Sequence, residues 1–595
     1  MRFEQRCEAL SDQKSALFYE FGPFRVDETA RVLLRGNDVV PLTVKAFEIL
    51  SHLVKNRGQV IAKENLIRQV WPDCFVEENN LSQGISALRR AFSDDAEHPT
   101  YIETIPRRGY RFIAAVRESH TGSSGPSTGA ANRGPRVKSL AVLPFQSVGS
   151  RAGVDFLDVG LADALITRLS NIEQIEVRPT PSIIGYKGAV PGWTQAGSEL
   201  NVDAVLSGCI QHSGEKVRVT VQLVATSDGT ALWAGQFDEA FTDIFTLEDS
   251  ISQQVARTLM LKLTSEERRR LSHRSTSCAE AHQAYLRGRH YWNRRTEKDL
   301  QKSVRCFQEA VDQDPSYALA YAGLADSYTV LGGYGALPPR DSYLRARAAA
   351  LRALEIDESL AEAHTSLGDV FMYYDWHGPA ADHEYRRAIE LRPDYATAHH
   401  FYAWYLIAKG HFREASNEMR RAQELDPLSP MINTTVGLPS YFAREFDRAI
   451  LQIEKALEMD PQFSLAHMYL GRAYLYSGRH ERAIDLLRTA VRSSEERPMM
   501  LAALGHGLAR SGNRAEAREI LDRLISLSQT RYISPYHIAT VFAGLDQADD
   551  ALDWLNRSYS ERVNQMVIME RDPAMDSLRD DRRFSELVAR VGFSA

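Results

Sequence analysis

Along the C-terminal half of the chain, apolar positions recur at helical spacing and the pattern itself repeats. Pro393, Pro427 and Pro461 lie 34 residues apart, each closing an apolar helix ending: AIELRP, AQELDP and ALEMDP. Earlier copies are AVDQDP, ending at Pro315, and ALEIDE at 353–358, where glutamate replaces the proline. In the copy beginning near Ser464, Leu470-Gly471 and Tyr474 precede Ala483, Leu487 and Ala490. In the copy beginning near Ala396, Tyr402-Ala403 and Leu406 precede Ala415, Met419 and Ala422. Such a unit is two short antiparallel helices. Small residues (Gly471, Ala415, Ala449, Ala483) mark their close approach, and proline stops the second helix. The pattern predicts an all-α superhelix over 273–595, with about seven units across 280–570 and a polar C-terminal cap.

The N-terminal pattern is different. Residues 18–40 alternate and are broken by polar turns, which predicts a small antiparallel sheet. Helices are expected at 43–56, stopped by Gly58, at 63–71, stopped by Pro72, and at 78–92. YIETI, PRRG and YRFIAAV then read as a hairpin over 101–116. In the third helix Leu81, Ile85, Leu88 and Phe92 form one stripe that must face a core. Asn79, Gln83, Ser86 and Arg90 form a second stripe two residues on, about 200° around the helix. Amide, hydroxyl and guanidinium groups therefore point away from the core, where they match base edges in a major groove.

Between these regions, 139–146 reads as a buried strand, 154–172 as an amphipathic helix and 175–179 as a strand. Three strands follow, joined by SGE and SDG turns, and a helix over 243–263 closes an α+β domain at 139–272. Val217, Val219, Val221 and Leu223 alternate with Arg218, Thr220 and Gln222, so one sheet face is wet. Residues 117–138, rich in Gly, Ser and Thr, read as a flexible linker. Residues 1–17 are expected to be a disordered N-terminus.

Charge sharpens the picture. The whole chain carries −7, so no global positive field draws nucleic acid. Residues 17–118 hold 14 Lys and Arg against 14 Asp and Glu, so phosphate attraction should be modest and avidity has to contribute. The five cysteines are scattered without CxxC spacing, which argues against a zinc ribbon or disulfide framework. The charged start and the lack of a long apolar run lead to the expectation of a cytoplasmic protein without a membrane span.

PLTVKAFEILSHLVKNRGQVI, Val70-Trp71, VEENNLSQGISALRRAF and IETIPRRGYRF occur in the order and spacing of the OmpR/PhoB-type winged helix-turn-helix domain, which 18–116 resembles. The resemblance implies that the third helix is the recognition helix and the 101–116 hairpin the wing. The DNA-binding candidates are then Asn79, Asn80, Gln83, Ser86, Arg89, Arg90, Arg107, Arg108 and Arg111. No receiver domain is expected in front, and the order resembles ToxR/CadC-like regulators. AVLPF, DVGLADALITRLS, VLSGCIQ and LWAGQFD make the middle resemble a TolB amino-terminal-like domain, and the C-terminal units resemble tetratricopeptide repeats.

Together these imply a multidomain transcriptional regulator. Double-stranded DNA would be its first partner, with a protein or peptide, or a second copy, on the repeats. The rival reading is a repeat scaffold whose winged helix contacts protein. Tyr373, Tyr374, His399, His400 and Tyr402 could be ligand groups or inter-helix packing. Asp375, His377, Asp382 and His383 fit no standard metal spacing. GPSTG at 125–129 lies in the linker, where a nucleophile elbow has no strand or helix to hold it. No catalytic residue, cofactor or metal is expected.

Overall fold

A computed structural model describes residues 17–27, 32–35, 38–40, 42, 44–70, 78–92, 94–95, 98–105, 108–120, 137–148, 157–170, 172, 174–188, 192–213, 216–240, 244–259, 264 and 275–593. The chain forms two compact units, the first holding the N-terminal domain together with residues 228–234 and the second the rest of the middle region and the repeats. Of the residues 1–17 expected to be disordered, 1–16 lie outside the described set and Leu17 opens a strand.

In the first unit, β1 (Leu17–Phe21), β2 (Phe24–Asp27), β3 (Val32–Arg35) and β4 (Asp38–Val40) form an antiparallel meander. Helices α1 (Val44–Lys55), α2 (Lys63–Val70) and α3 (Glu78–Phe92) follow. Strands β5 (Val60–Ala62), β6 (Ile102–Ile105) and β7 (Gly109–Phe112) make a second sheet in the order β5-β7-β6. Phe21, Phe24, Phe92, Tyr101 and Phe112 form an aromatic cluster between the first sheet and α3. One boundary moves. β8 (Arg117–His120) pairs antiparallel with β1, so the first residues of the expected linker complete a five-stranded sheet. The polar sequence RESH has no apolar alternation, and β1 supplies its ladder partner.

In the second unit, β9 (Ser139–Val142), β10 (Gln146–Val148), β11 (Glu176–Val177), β12 (Ala204–Ser213), β13 (Lys216–Ala225) and β14 (Ala231–Ala240) form one mixed sheet. β9 is parallel to β11 and β12, and β12 is antiparallel to β13. Helices α4 (Leu157–Leu169), α5 (Thr180–Ile183), α6 (Trp193–Glu199) and α7 (Ile244–Thr258) complete the expected α+β domain.

Among the described residues the repeats form eight helix pairs, where about seven were expected. Repeat one is Ala279–Asn293 with Glu297–Gln313, and repeat two is Ala318–Gly333 with Pro339–Ile356. Repeat three is Ala361–Val370 with Gly378–Leu391, and repeat four Ala396–Ala408 with Phe412–Leu425. Repeat five breaks its first helix into Pro430–Thr435 and Leu438–Phe442 before Phe446–Met459. Repeats six and seven are Ser464–Tyr476 with His480–Ser493 and Pro498–Arg510 with Arg514–Leu527. Repeat eight, Pro535–Gly544 with Ala548–Ser560, lacks the closing proline.

Gly471 sits where the sequence pattern places a small residue: a Cβ there would lie 2.8 Å from Leu487 Cγ. The turn inside each repeat carries one residue with left-handed φ. These are Arg295, Gly335, Trp376, Gly410, Arg444, Gly478, Gly512 and Asp546, the last six spaced by 34. Repeat three has one extra residue between its close-approach glycine, Gly368, and its turn. A π-helical turn, Phe371–Asp375, absorbs it.

The middle domain and the repeats meet through buried polar contacts, not a loose joint. Arg289 of repeat one donates to Asp163 of α4 at 3.1 and 3.3 Å. His282 of repeat one lies 2.8 Å from Glu248 of α7, and Ser182 of α5 donates to Asp426 of repeat four. After repeat eight the chain turns back along the array. Asn564 bonds to Gly333 O, Asp576 pairs with Arg444, and Lys409 Nζ donates to Phe593 O at 2.9 Å.

Asp369 is a buried titrating group in repeat three. It accepts a 2.7 Å hydrogen bond from Tyr385 Oη. Burial pushes its carboxyl up to about 8, with Asp326 adding to the rise and the Tyr385 bond and Arg295 opposing it. The fold therefore favours the neutral acid. That contribution is complete below the unfolded value of 3.8 and is lost as pH rises toward 8. Asp369→Asn should keep the acceptor and remove the titration. Calorimetric melting midpoints should move in the variant's favour from pH 5 to pH 8 and then stay level. Parallel pH profiles for the two proteins would count against this account.

Candidate nucleic-acid interface

The geometry is built on α3. Leu81, Ile85, Leu88 and Phe92 are buried, as their spacing requires. Gly84 faces α1: a Cβ there would come within 2.5 Å of Ile49 Cδ1, so a side chain would have to displace the Ile49 methyl. On the other stripe, Ser86 and Arg90 are exposed. The Ser86 hydroxyl donates to Ser82 O, one turn back, at 2.9 Å, leaving its oxygen lone pairs toward solvent. Asn79, Asn80 and Gln83 lie on the helix, and their side chains fall outside the described set, as does Arg107 entirely. Arg108 is exposed at the turn between β6 and β7.

Two sequence candidates are occupied inside the domain. Arg89 Nη2 donates to Ile102 O at 2.9 Å and to Thr104 Oγ1 at 2.8 Å. It is a brace between the last turn of α3 and strand β6. Arg111 Nε and Nη2 both donate to Glu103 Oε2, at 2.8 and 2.6 Å, across the β6–β7 pair. Its charge is compensated on the wing. Both pairings join residues on separate elements, so helical periodicity in α3 carried no sign of them.

Two supporting residues were missed by sequence reasoning. The Asp94 carboxylate accepts from the backbone N–H groups of Thr100, Tyr101 and Ile102, the bond to Ile102 being 2.9 Å, and so fixes the approach to β6. Gly109 sits where β7 crosses β5: a Cβ there would lie 1.9 Å from Ile61 O, so no larger residue fits without moving the strand. The resulting scaffold presents α3 outward with a two-stranded hairpin held beside it.

Elsewhere, the proposed ligand groups of the repeats divide. His399 bonds to Glu418 at 2.6 Å and to Pro393 O, and Tyr402 donates to Asp382, so these are inter-helix bonds. Tyr374 packs on Tyr343. Tyr373 and His400 line a cavity. Asp375 pairs with Arg347, and His377 accepts from Ala380 N as a helix cap. Among the described residues no group of three or more His, Cys, Asp or Glu is placed to hold a metal. No described helix is long and apolar enough to cross a membrane.

Comparison with known proteins agrees with this architecture. Residues 36–112 match the family model "Transcriptional regulatory protein, C terminal", and 441–498 match a tetratricopeptide repeat. The N-terminal unit is thus an OmpR/PhoB-type winged-helix domain, and the C-terminal region a tetratricopeptide repeat array. Residues 136–254 match "HilA/YgeH-like transcriptional regulator, second domain". The middle segment is matched there as a HilA-like regulator domain, and the expected TolB amino-terminal identity is not the one found.

Among relatives, the transcriptional regulator HilA of Salmonella typhimurium is 26% identical over 66% of this chain and 68% of its own length. A putative adenylate cyclase 3 of Rhizobium meliloti is 28% identical over 39% of this chain and 40% of its own. The transcriptional activator CadC of Escherichia coli is 29% identical over 16% of this chain and 19% of its own. The solved DNA-binding domain of CadC is 26% identical over 17% of this chain and 97% of that domain, with a TM-score of 0.16.

Proposed function

We propose that the chain is a DNA-binding transcriptional regulator whose winged helix reads a promoter and whose repeat-bearing unit receives the input, by binding a protein or peptide or by self-association. The carrying observation is the outward face of α3, where Ser86 and Arg90 are exposed opposite the buried stripe. In this reading Asn79, Asn80, Gln83 and Ser86 contact base edges. Arg90, Arg107 and Arg108 hold phosphates or the minor groove, and Arg89 and Arg111 position the wing. The equal numbers of acids and bases over 17–118 weaken phosphate attraction, so pairing of two heads supplies part of the affinity. The matches to regulator families, and the similarity to HilA and CadC, support this reading over a protein-binding winged helix. The setting would be the cytoplasm, where promoter DNA lies.

Selection of random duplex DNA by the full-length protein tests this. An enriched motif that is lost on Asn79→Ala/Gln83→Ala is the expected result. No enrichment even at low salt, where phosphate contacts are strongest, would transfer the domain to the scaffold reading.

A further inference from the structure

The inner face of the repeat array encloses a cavity of about 1190 Å³. The first helices of repeats two to eight contribute to its lining. Residues 181–186 of the middle domain and 564–574 of the returning C-terminal segment contribute too. The volume is slightly above the usual range of small-molecule sites, about 300–1,000 Å³. Because the chain's own segments wall it, the fitting occupant is a small molecule.

Its charges are unevenly compensated. Arg472 pairs with Asp572. Asp369 and Asp426 are pushed up by burial, to about 8 and about 7, so near neutral pH one is mostly and the other partly uncharged. Glu199, which is exposed, accepts from Tyr186 and Gln195, and Asp460 accepts from Gln462 N. Two lining cations, Arg295 and Arg497, have no carboxylate within ion-pairing distance among the described residues. Each lies over an aromatic ring instead, Arg295 at 3.7 Å from the Trp292 centroid and Arg497 at 5.6 Å from that of Tyr334. Beside them Asn293 keeps both side-chain polar atoms buried without a partner, as does His400 its Nε2.

Arg295 is also held with φ at +55°, a conformation disfavoured for a side chain of its size. The other non-glycine residues at the equivalent turns use their side chains. Arg444 pairs with Asp576, Asp546 with Arg510 and Arg514, and Trp376 packs on Tyr559. Among these four Arg295 forms no ion pair among the described residues; its guanidinium lies on Trp292, with Tyr334 and the more distant Asp326 adding weaker electrostatic support. Burial acts against its charge and lowers its pKa, a penalty that a bound anion would remove.

We infer that this cavity binds an anionic small molecule with an aromatic or apolar body, its carboxylate, sulfonate or phosphate held by Arg295 and Arg497. Trp404, Phe401 and the tyrosines of the lining would take the body, and Asn293 would supply a neutral hydrogen bond. Arginine suits this role because its planar fork meets a carboxylate or phosphate with two bonds while stacking on a ring.

The probe is 8-anilinonaphthalene-1-sulfonate, titrated calorimetrically into the full-length protein. Uncharged N-phenyl-1-naphthylamine serves as the control with the same aromatic body. One saturable site for the sulfonate is expected. Arg295→Gln and Arg497→Gln should each weaken it about tenfold, a loss of about 1.4 kcal/mol. The uncharged probe should be unaffected, and Arg295→Lys, which keeps the charge but not the fork or the stacking, should lose less affinity than Arg295→Gln. Circular dichroism and melting confirm folding of each variant. If Arg295→Gln does not fold, Arg497→Gln on a different repeat still decides. Absence of a saturable site, sulfonate affinity unchanged in the folded glutamine variants, or equal loss of both probes would overturn the inference. Because no DNA enters the assay, its outcome is independent of the promoter reading.

Discussion

Asp572→Ala should destabilise the repeat unit by about 3–5 kcal/mol, the range for breaking a buried ion pair on one side. Asp572 is 3% exposed and its two oxygens serve three partners. Arg472 pairs with it, Tyr536 Oη donates at 3.1 Å, and Ala574 N donates at 3.0 Å to start the short helix Pro573–Leu578. Removing the carboxylate leaves the Arg472 guanidinium inside the array with uncharged tyrosines for compensation, the Tyr441 face 5.3 Å away among them. The loss should be local before it is global. Hydrogen exchange should rise first over 564–593, which would lose its central anchor, while repeats one to four stay protected. Asp572→Asn keeps the acceptor geometry without the charge, so its effect should be intermediate. A melting profile unchanged in Asp572→Ala would show that the segment is held by its apolar contacts, Phe593 on Tyr405 above all.

Arg289→Ala should be of similar size and should act at the other end of the unit. It leaves Asp163, 1% exposed, with Thr180 Oγ1 as its remaining side-chain donor. An uncompensated buried carboxylate is again worth about 3–5 kcal/mol. Replacing both partners by shape-matched neutral residues, Asp163→Asn with Arg289→Met, should recover much of that loss, because no charge is then stranded. The double-mutant cycle in denaturant measures the coupling. Additive single effects would mean that α4 and repeat one are held together by Leu286 packing on Gly160 rather than by the ion pair.

Much of this was legible in the chain. The stripe Leu81, Ile85, Leu88, Phe92 placed α3 because a helix with one apolar face has only one way to bury it. The 34-residue period placed the repeats, since each copy carries its own close-approach residue and stop. Repeat eight was blurred because no proline follows Ser560, and β8 was hidden because RESH is polar. The left-handed turns show in the sequence only where glycine fills them, at Gly335, Gly410, Gly478 and Gly512. At Trp376, Arg444 and Asp546 the same backbone sits under side chains that give no hint of it. Arg89 looked like a groove contact because its helical position is right, and only the fold brings Thr104 to it. The cavity was least legible of all. Its cations, Arg295 and Arg497, lie about 200 residues apart, and no local pattern links residues brought together by superhelical closure.

The left-handed turn has a consequence for how such an array drifts under mutation. Every repeat contains one position at which glycine is the relaxed choice and any side chain is held against its backbone preference by about 1 kcal/mol or more. Change toward glycine there runs downhill in stability. At Arg444 and Asp546 that tendency is countered inside the fold, because glycine would abolish an ion pair. At Arg295 the internal counterweight is a stacking contact on Trp292 rather than an ion pair. A population of sequences maintained for folding alone would lose this arginine more readily, and one maintained for what the arginine holds would not.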